Sequence, residues 1–293
     1  MFNFIKMISL TIIVFMFAGF HSAFASDVLI LSPSRSDNDK RGEFRRKILE
    51  ISMERTKGHY GSYEIRNYDG DMPRNRALQE LVKGTLTVVG VPTKLEWEEK
   101  AIPIRIPISK GLLSYKLMLI RKDDQDVFKQ IKTNKELKKL VYGGGAQWSS
   151  TQAMKKLGFK VAGGTDYEDL FEMLNVGRFD FFPRGVNEVF PEYADRKDRY
   201  PELMIEQHLA LYLPQPNYFF VSPLKPMLAE RLQKGMRSII DDGTFDRMFF
   251  DFYGEFISGA NLDHRRILLL ENVDLSNETP LNQPALWYHP GQK

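Results

Sequence analysis

The chain has 293 residues, 43% of them apolar, enough to bury one large core or two moderate ones. It contains no cysteine, which excludes disulfide staples and thiolate chemistry. Its formal charge of +3 comes from 41 basic and 38 acidic residues well mixed along the chain, and leaves no basic footprint for nucleic acid.

The first 25 residues read as a secretory signal peptide. Lys6 precedes an almost wholly apolar run over 7–20, and Ala23-Phe24-Ala25 fits the small-residue exit such leaders need. Cleavage after Ala25 leaves Ser26 as the first mature residue and, with the one charge of Lys6 gone from +3, a net charge of +2. A retained anchor is the rival, but the run falls short of the ~20 residues a membrane span prefers. An exported chain of this kind resides in the periplasm of a cell with two membranes.

From there strands and helices alternate. DVLILS (27–32) is a strand, and 40–55 is a helix with Phe44, Ile48, Ile51 and Met53 near a 3.6 period. YEIRNYDG (63–70) is a second strand, followed by a helix opened by Pro73 and closed by Gly84. LTVVGVP (86–92) is a third strand, so the β-α-β-α-β order implies a parallel sheet with helices on both faces. The extended stretch IPIRIPISKGLLSYKLMLIRK follows, broken at Gly111. A second series then runs helix (134–140), strand VYGGG, helix (149–157), strand FKVAGG, helix (167–175) and strand RFDFF. A further extended piece, HLALYLPQPNYFFVSP, leads to helices over 226–241 and 245–256 and to a proline-punctuated tail. Two extended crossings, near 113–120 and 209–221, imply that the second α/β unit is inserted into the first. The expected division is residues 26–115 with 216–293 as lobe 1, and 116–215 as lobe 2.

This order resembles the bilobal periplasmic solute-binding proteins of the type II fold, in particular the family serving polar amino-acid transporters. The resemblance spans about 27–254 and rests on ELKKLVYGGGAQWSSTQAMKKLGFKV, YEDLFEMLNVGRFDFF and YFFVSPLKPMLAERLQKGMRSIIDDGTFDRMF taken in sequence. It implies a solute held between two lobes that close about a hinge, with a membrane permease of an ABC importer as partner. A membrane sensor or kinase is the alternative partner. A monomer is implied, with no cofactor and no metal. Some enzymes also use the fold, including dehydratases with one cleft carboxylate, but no catalytic residue is assigned here. The family clamps its ligand's α-carboxylate with a Thr or Ser and a following Arg after the third strand. This chain offers Thr93, and the 95–97 neighbourhood stands where the arginine is expected. Beyond the "GR-x-D" strand, the acid that meets the ligand's ammonium is replaced by Pro183-Arg184-Gly185.

Several residues become candidates for the ligand. GGGAQWSS (143–150) joins a glycine turn to a helix start, an anion seat that nominates Gln147, Trp148, Ser149 and Ser150; the two serines are equally able to act as helix caps. Arg184, placed off the end of the apolar strand 179–182, offers a bidentate fork for a carboxylate or phosphate, with a salt bridge to Glu188 or another acidic residue as its competitor. Trp97 and Trp148 offer flat cleft walls, and Arg35, after the first strand, a second anion contact. Glu98 and Glu99 read as a solvated charged pair, and Phe249, Phe250, Phe252, Tyr253 and Phe256 as core. His59, His208, His264 and His289 show no metal-ligand spacing. Together these favour a small anionic or carboxylate-bearing solute.

Overall fold

The computed structural model describes residues 26–32, 40–69 and 72–292. The signal-peptide reading and Arg35 lie outside them. The first unit runs β1 (Asp27–Leu31), α1 (Lys40–Arg55), α2 (Lys57–Tyr60), β2 (Tyr63–Asn67), α3 (Arg74–Lys83), β3 (Val88–Pro92), α4 (Leu95–Lys100) and β4 (Ile102–Ile104). The second opens with β5 (Tyr115–Arg121), α5 (Gln125–Gln130), α6 (Asn134–Leu137), β6 (Val141–Gly145), α7 (Ser149–Lys156) and β7 (Lys160–Gly164). It continues through α8 (Asp169–Asn175), β8 (Phe182–Gly185), α9 (Val186–Ala194), β9 (Leu203–Ile205) and β10 (Leu209–Tyr212). The chain returns as β11 (Asn217–Val221), α10 (Pro226–Asp241) and α11 (Thr244–Ala260), and adds β12 (Arg266–Leu269).

The first sheet has the order β2-β1-β3-β11-β4, with β1 parallel to β2 and β3, and β11 antiparallel to β3 and β4. Helix α1 turns Phe44, Ile48 and Met53 into the core under Leu29, the stripe its period calls for. Helix α10 packs beside it so closely that a Cβ on Gly235 would fall 2.0 Å from the Ser52 carbonyl oxygen. Fully buried Arg231 of α10 binds Asp27 at 2.8 Å, the Thr56 hydroxyl at 3.1 Å and the Gly61 carbonyl at 2.8 Å. That set of partners satisfies its buried charge and stitches the C-terminal helix to the first strand.

The second sheet has the order β12-β10-β5-β8, with β9 also pairing with β5. Parallel β6 and β7 extend it, because Phe181 bridges to Tyr142 and accepts the Gly143 N–H at 2.8 Å. The last strand of this unit therefore lies later than the apolar letters 179–182 indicate. Asp180 and Phe181 pair with β6, and β8 proper is Phe182–Gly185, antiparallel to β5 through register Leu117↔Arg184. Arg184 is a buried strand residue, where the sequence placed it on a loop beyond the strand.

The C-terminal portion also differs from expectation. Helix α10 packs on α1 of the first unit and α11 packs on both α10 and α9 of the second, while β12 joins the second sheet, parallel to β10. The tail then recrosses. Leu270 N–H bonds the Tyr212 carbonyl, Asn272 Nδ2 bonds the Pro214 carbonyl at 2.8 Å, and Tyr288 N–H bonds the Lys110 carbonyl at 2.7 Å. Trp287 lies against Gly111, whose left-handed φ of 66° and missing side chain both make the fit possible. Tyr288 packs on Phe249 and Tyr115. Replacing Trp287 by Ala is expected to cost about 3–5 kcal/mol of unfolding free energy by urea titration, the range for emptying a buried aromatic site; a loss under 1 kcal/mol would show the tail to be dispensable.

Candidate functional site

Between β10 and β11 the chain crosses from one sheet to the other over residues 213–216, and both units bond to this short crossing. From the first, the Thr93 N–H donates to the Pro216 carbonyl at 2.9 Å. From the second, the Ser149 hydroxyl accepts Gln215 Nε2 at 2.7 Å. The Gln215 N–H in turn donates to the Ser114 hydroxyl at 3.0 Å, just before β5. Two residues singled out in the sequence, Thr93 and Ser149, are thus brought to opposite sides of one crossing. The carboxyl end of β3 and the amino end of α7 meet there.

On the second unit's side the three glycines of β6 serve close packing, since none of them has a positive φ. A Cβ on Gly143 would meet the Phe179 ring at 2.2 Å, one on Gly144 the Thr151 hydroxyl at 2.7 Å, and one on Gly145 the Trp148 ring at 2.4 Å. Trp148 is therefore pressed onto the strand at the head of α7, where no side chain caps the helix. The N–H groups of the first turn of α7 have no acceptor within the helix. Of the remaining candidates on this loop, Gln147 is exposed, and half-buried Ser150 lies by the Tyr142 hydroxyl.

Arg184 is 8% exposed and already partnered. Its Nε and Nη2 donate to both Glu192 oxygens at 2.5 and 2.6 Å, and Glu188 stands 3.3 Å away. Glu188 also accepts the Gly185 N–H at 2.9 Å, at the start of α9. Burial opposes the arginine's charge, but the fields of Glu188 and Glu192 outweigh it and hold its pKa above the usual value. The guanidinium lies over the rings of Trp148, Phe182 and Tyr167, with centroids at 4.8, 5.2 and 5.7 Å. The salt-bridge alternative is what the structure shows, with Glu192 as the main partner.

Lys116, which sequence reading passed over, is the charge left without a close partner. It pairs across β5 and β8 with Gly185 and is half-buried. Among the described residues its ammonium makes no hydrogen bond and no ion pair. Burial pushes its pKa down to about 8, partly countered by Glu188 and Glu192 and reinforced by Arg184. Its sequence signal was one basic letter in the alternation of YKLMLIR, which any solvated strand position would give.

On the first unit's side Thr93 is buried and donates its hydroxyl to Glu98 at 2.5 Å; Arg105 binds the other Glu98 oxygen at 3.0 Å. Glu98 is thus enclosed at the end of β3, not solvated as the sequence suggested. Trp97 is not a cleft wall. It is 3% exposed in the first unit's core, edge-on to Phe220. A separate groove of 670 Å³, lined by charged and polar side chains such as Arg55, Lys234 and Asp242, contains none of these residues.

No family model matches the sequence, and none of the curated proteins searched matches it. Solved structures do. A periplasmic His/Glu/Gln/Arg/opine family-binding protein from Silicibacter pomeroyi, in complex with lysine, is similar at TM-score 0.54 and 14% identity, over 78% of this chain and 98% of that one. An ancestral arginine-binding protein bound to glutamine is similar at TM-score 0.53 and 19% identity, over 78% and 99%. A histidine kinase sensor domain with similarity to periplasmic binding proteins reaches TM-score 0.53 at 12% identity, over 78% and 97%. The chain has the two-unit α/β fold of the type II periplasmic solute-binding proteins and resembles the polar amino-acid binders among them. Among the described residues no helix is long and apolar enough to cross a membrane.

The lysine makes stability depend on pH. Below about 8 both folded and unfolded chains carry the proton, and the cost of crowding the ammonium is present in full. Between about 8 and the unfolded value near 10.4 the unfolded chain binds the extra proton, so stability rises with pH. The wild type is expected to gain melting temperature over that window relative to Lys116→Met, which has no proton to bind there. Parallel profiles would mean that the ammonium is not desolvated.

Proposed function

We propose that this protein is a periplasmic solute-binding protein that captures a small anionic or carboxylate-bearing solute between its two lobes and delivers it to an ABC importer. The observation that carries the reading is that Thr93 and Ser149 both bond to the 213–216 crossing, which brings the ends of β3 and α7 to one place. A solute touching both lobes favours the closed arrangement over the open one, and short crossings at 105–114 and 213–216 are the hinges. The fold shared with periplasmic amino-acid binders supports capture. The negative group of the solute meets Lys116 and the free N–H groups of α7, because Arg184 is committed to Glu192. Ser149, Ser150, Trp148 and Thr93 are the proposed ligand contacts, with exposed Gln147 beside them; Arg35, a further candidate, lies outside the described residues.

Residues 26–115 with 216–293 are taken as the first lobe and 116–215 as the second, although β12 pairs into the second sheet. The protein binds without turnover as a monomer, in the periplasm once residues 1–25 are removed. Likeness to a histidine kinase sensor domain favours one second reading, in which the closed form docks on a membrane sensor instead of a permease. Pull-down of a permease or of a kinase by the ligand-loaded protein separates the two.

A thermal-shift screen of residues 26–293 against amino acids, organic acids and phosphate compounds tests the capture reading. A true ligand at 100 times its dissociation constant adds about 2.7 kcal/mol, and it should be recovered chemically unchanged. Loss of one charge-assisted bond in Lys116→Ala should cost about 1.5–3 kcal/mol of binding, roughly 10- to 150-fold in affinity. A screen in which only cations bind, or an anion held equally well by Lys116→Ala, would overturn the anionic assignment.

A further inference from the structure

We propose that Arg184 fills a cation-binding box built by the second lobe, and that this self-occupancy closes the site to basic solutes. The inference rests on the capture reading above and specifies what the site rejects. Two carboxylates and a set of aromatic faces form the recognition chemistry of a guanidinium or ammonium ligand. Here Glu192 takes the guanidinium in a two-pronged bond at 2.5 and 2.6 Å, Glu188 lies at 3.3 Å, and Trp148, Phe182 and Tyr167 supply the faces.

The box stands on supports of its own. Trp148 is seated on Gly145 and stacked on Phe182 with an interplanar angle of 22°. Tyr167 and Phe182 both meet the Phe171 ring edge-on. Glu188 is held by the Gly185 N–H at 2.9 Å. Removing the Arg184 side chain therefore leaves the walls and both carboxylates in place, with a guanidinium-sized space between them. In the intact chain that space is taken, so arginine or lysine finds no free negative partner there and meets the charge of Lys116, which Glu188 and Glu192 only partly counter.

The test compares wild type, Arg184→Ala and Arg184→Met by thermal unfolding with methylguanidinium, L-arginine or L-lysine, each against sodium chloride at equal ionic strength. Arg184→Ala is expected to melt lower than wild type and to recover with rising methylguanidinium and L-arginine. Wild type and Arg184→Met, whose boxes are filled, should not respond. If Arg184→Ala does not fold alone, refolding in methylguanidinium decides: recovery supports the box, and failure to recover overturns it. A folded Arg184→Ala that ignores guanidinium compounds overturns it as well, as does wild type binding L-arginine as tightly as the variant. These readouts need no natural solute. A guanidinium response without any anion hit would sink the capture reading alone, and the reverse pattern would sink the box alone.

Discussion

The short crossing at 213–216 is the constraint on which the rest of the structure depends. It carries too few residues to satisfy its own backbone, so its polar groups are met from outside. Thr93 gives an N–H to Pro216, Ser114 offers its hydroxyl to the Gln215 N–H and its carbonyl to the Leu213 N–H, and Asn272 of the tail binds the Pro214 carbonyl. The Ile108 N–H reaches the Asn217 carbonyl at 2.9 Å from the other crossing. Both crossings are thereby held side by side, with the end of β3 and the start of α7 bonded to one of them. Any rotation of the lobes must be absorbed here, in the few residues without ladder partners on either side.

The charges near this crossing are arranged in an order that composition cannot reveal. Where the amino-acid binders this chain resembles use an arginine to follow their threonine, Thr93 meets an acid, and that acid is covered by Arg105. Where the resemblance implies an acid just past the "GR-x-D" stretch, Arg184 of β8 stands and brings its own acids with it. Both positions thus carry a charge opposite to the one the resemblance implies, and each is paired within the protein. A buried arginine with a bidentate carboxylate is a stable wall; breaking such a pair would leave an uncompensated buried charge.

Much of the fold was legible because it is written in period and punctuation. The buried stripe of α1, Pro73 and Gly84 around α3, and the apolar runs of β1, β3 and β11 give the α/β order directly. The site was legible only in part. GGGAQWSS marked the head of α7 correctly, but its glycines turned out to make room for Phe179, Thr151 and Trp148. Arg184 was found as a residue and misplaced as a contact, since its partner Glu192 lies eight positions on, across a strand-to-helix junction with no sequence signature. Trp97 read as a flat binding surface, but nothing in LEWEEK reveals that Phe220, more than a hundred residues later, lies against it. β12 escaped altogether, because RILL is too short to distinguish a strand that closes the second sheet from tail.

Lys116 then acquires its meaning from the neutrality around it. With Arg184 matched by Glu192 and Glu98 matched by Arg105, Lys116 is a charge that the protein has desolvated without pairing closely, and on the proposed reading it is what an anionic solute would meet. Such a group is costly in the free protein, and an anion that pairs with it recovers that cost on binding. The walls contribute shape and exclude water, having been paired in advance, so little of the interaction energy is consumed in ordering them. On the proposed reading selectivity would follow from asymmetry: a negative solute would relieve a burden the fold already carries, whereas a positive one would have to break a buried bidentate pair to find a partner.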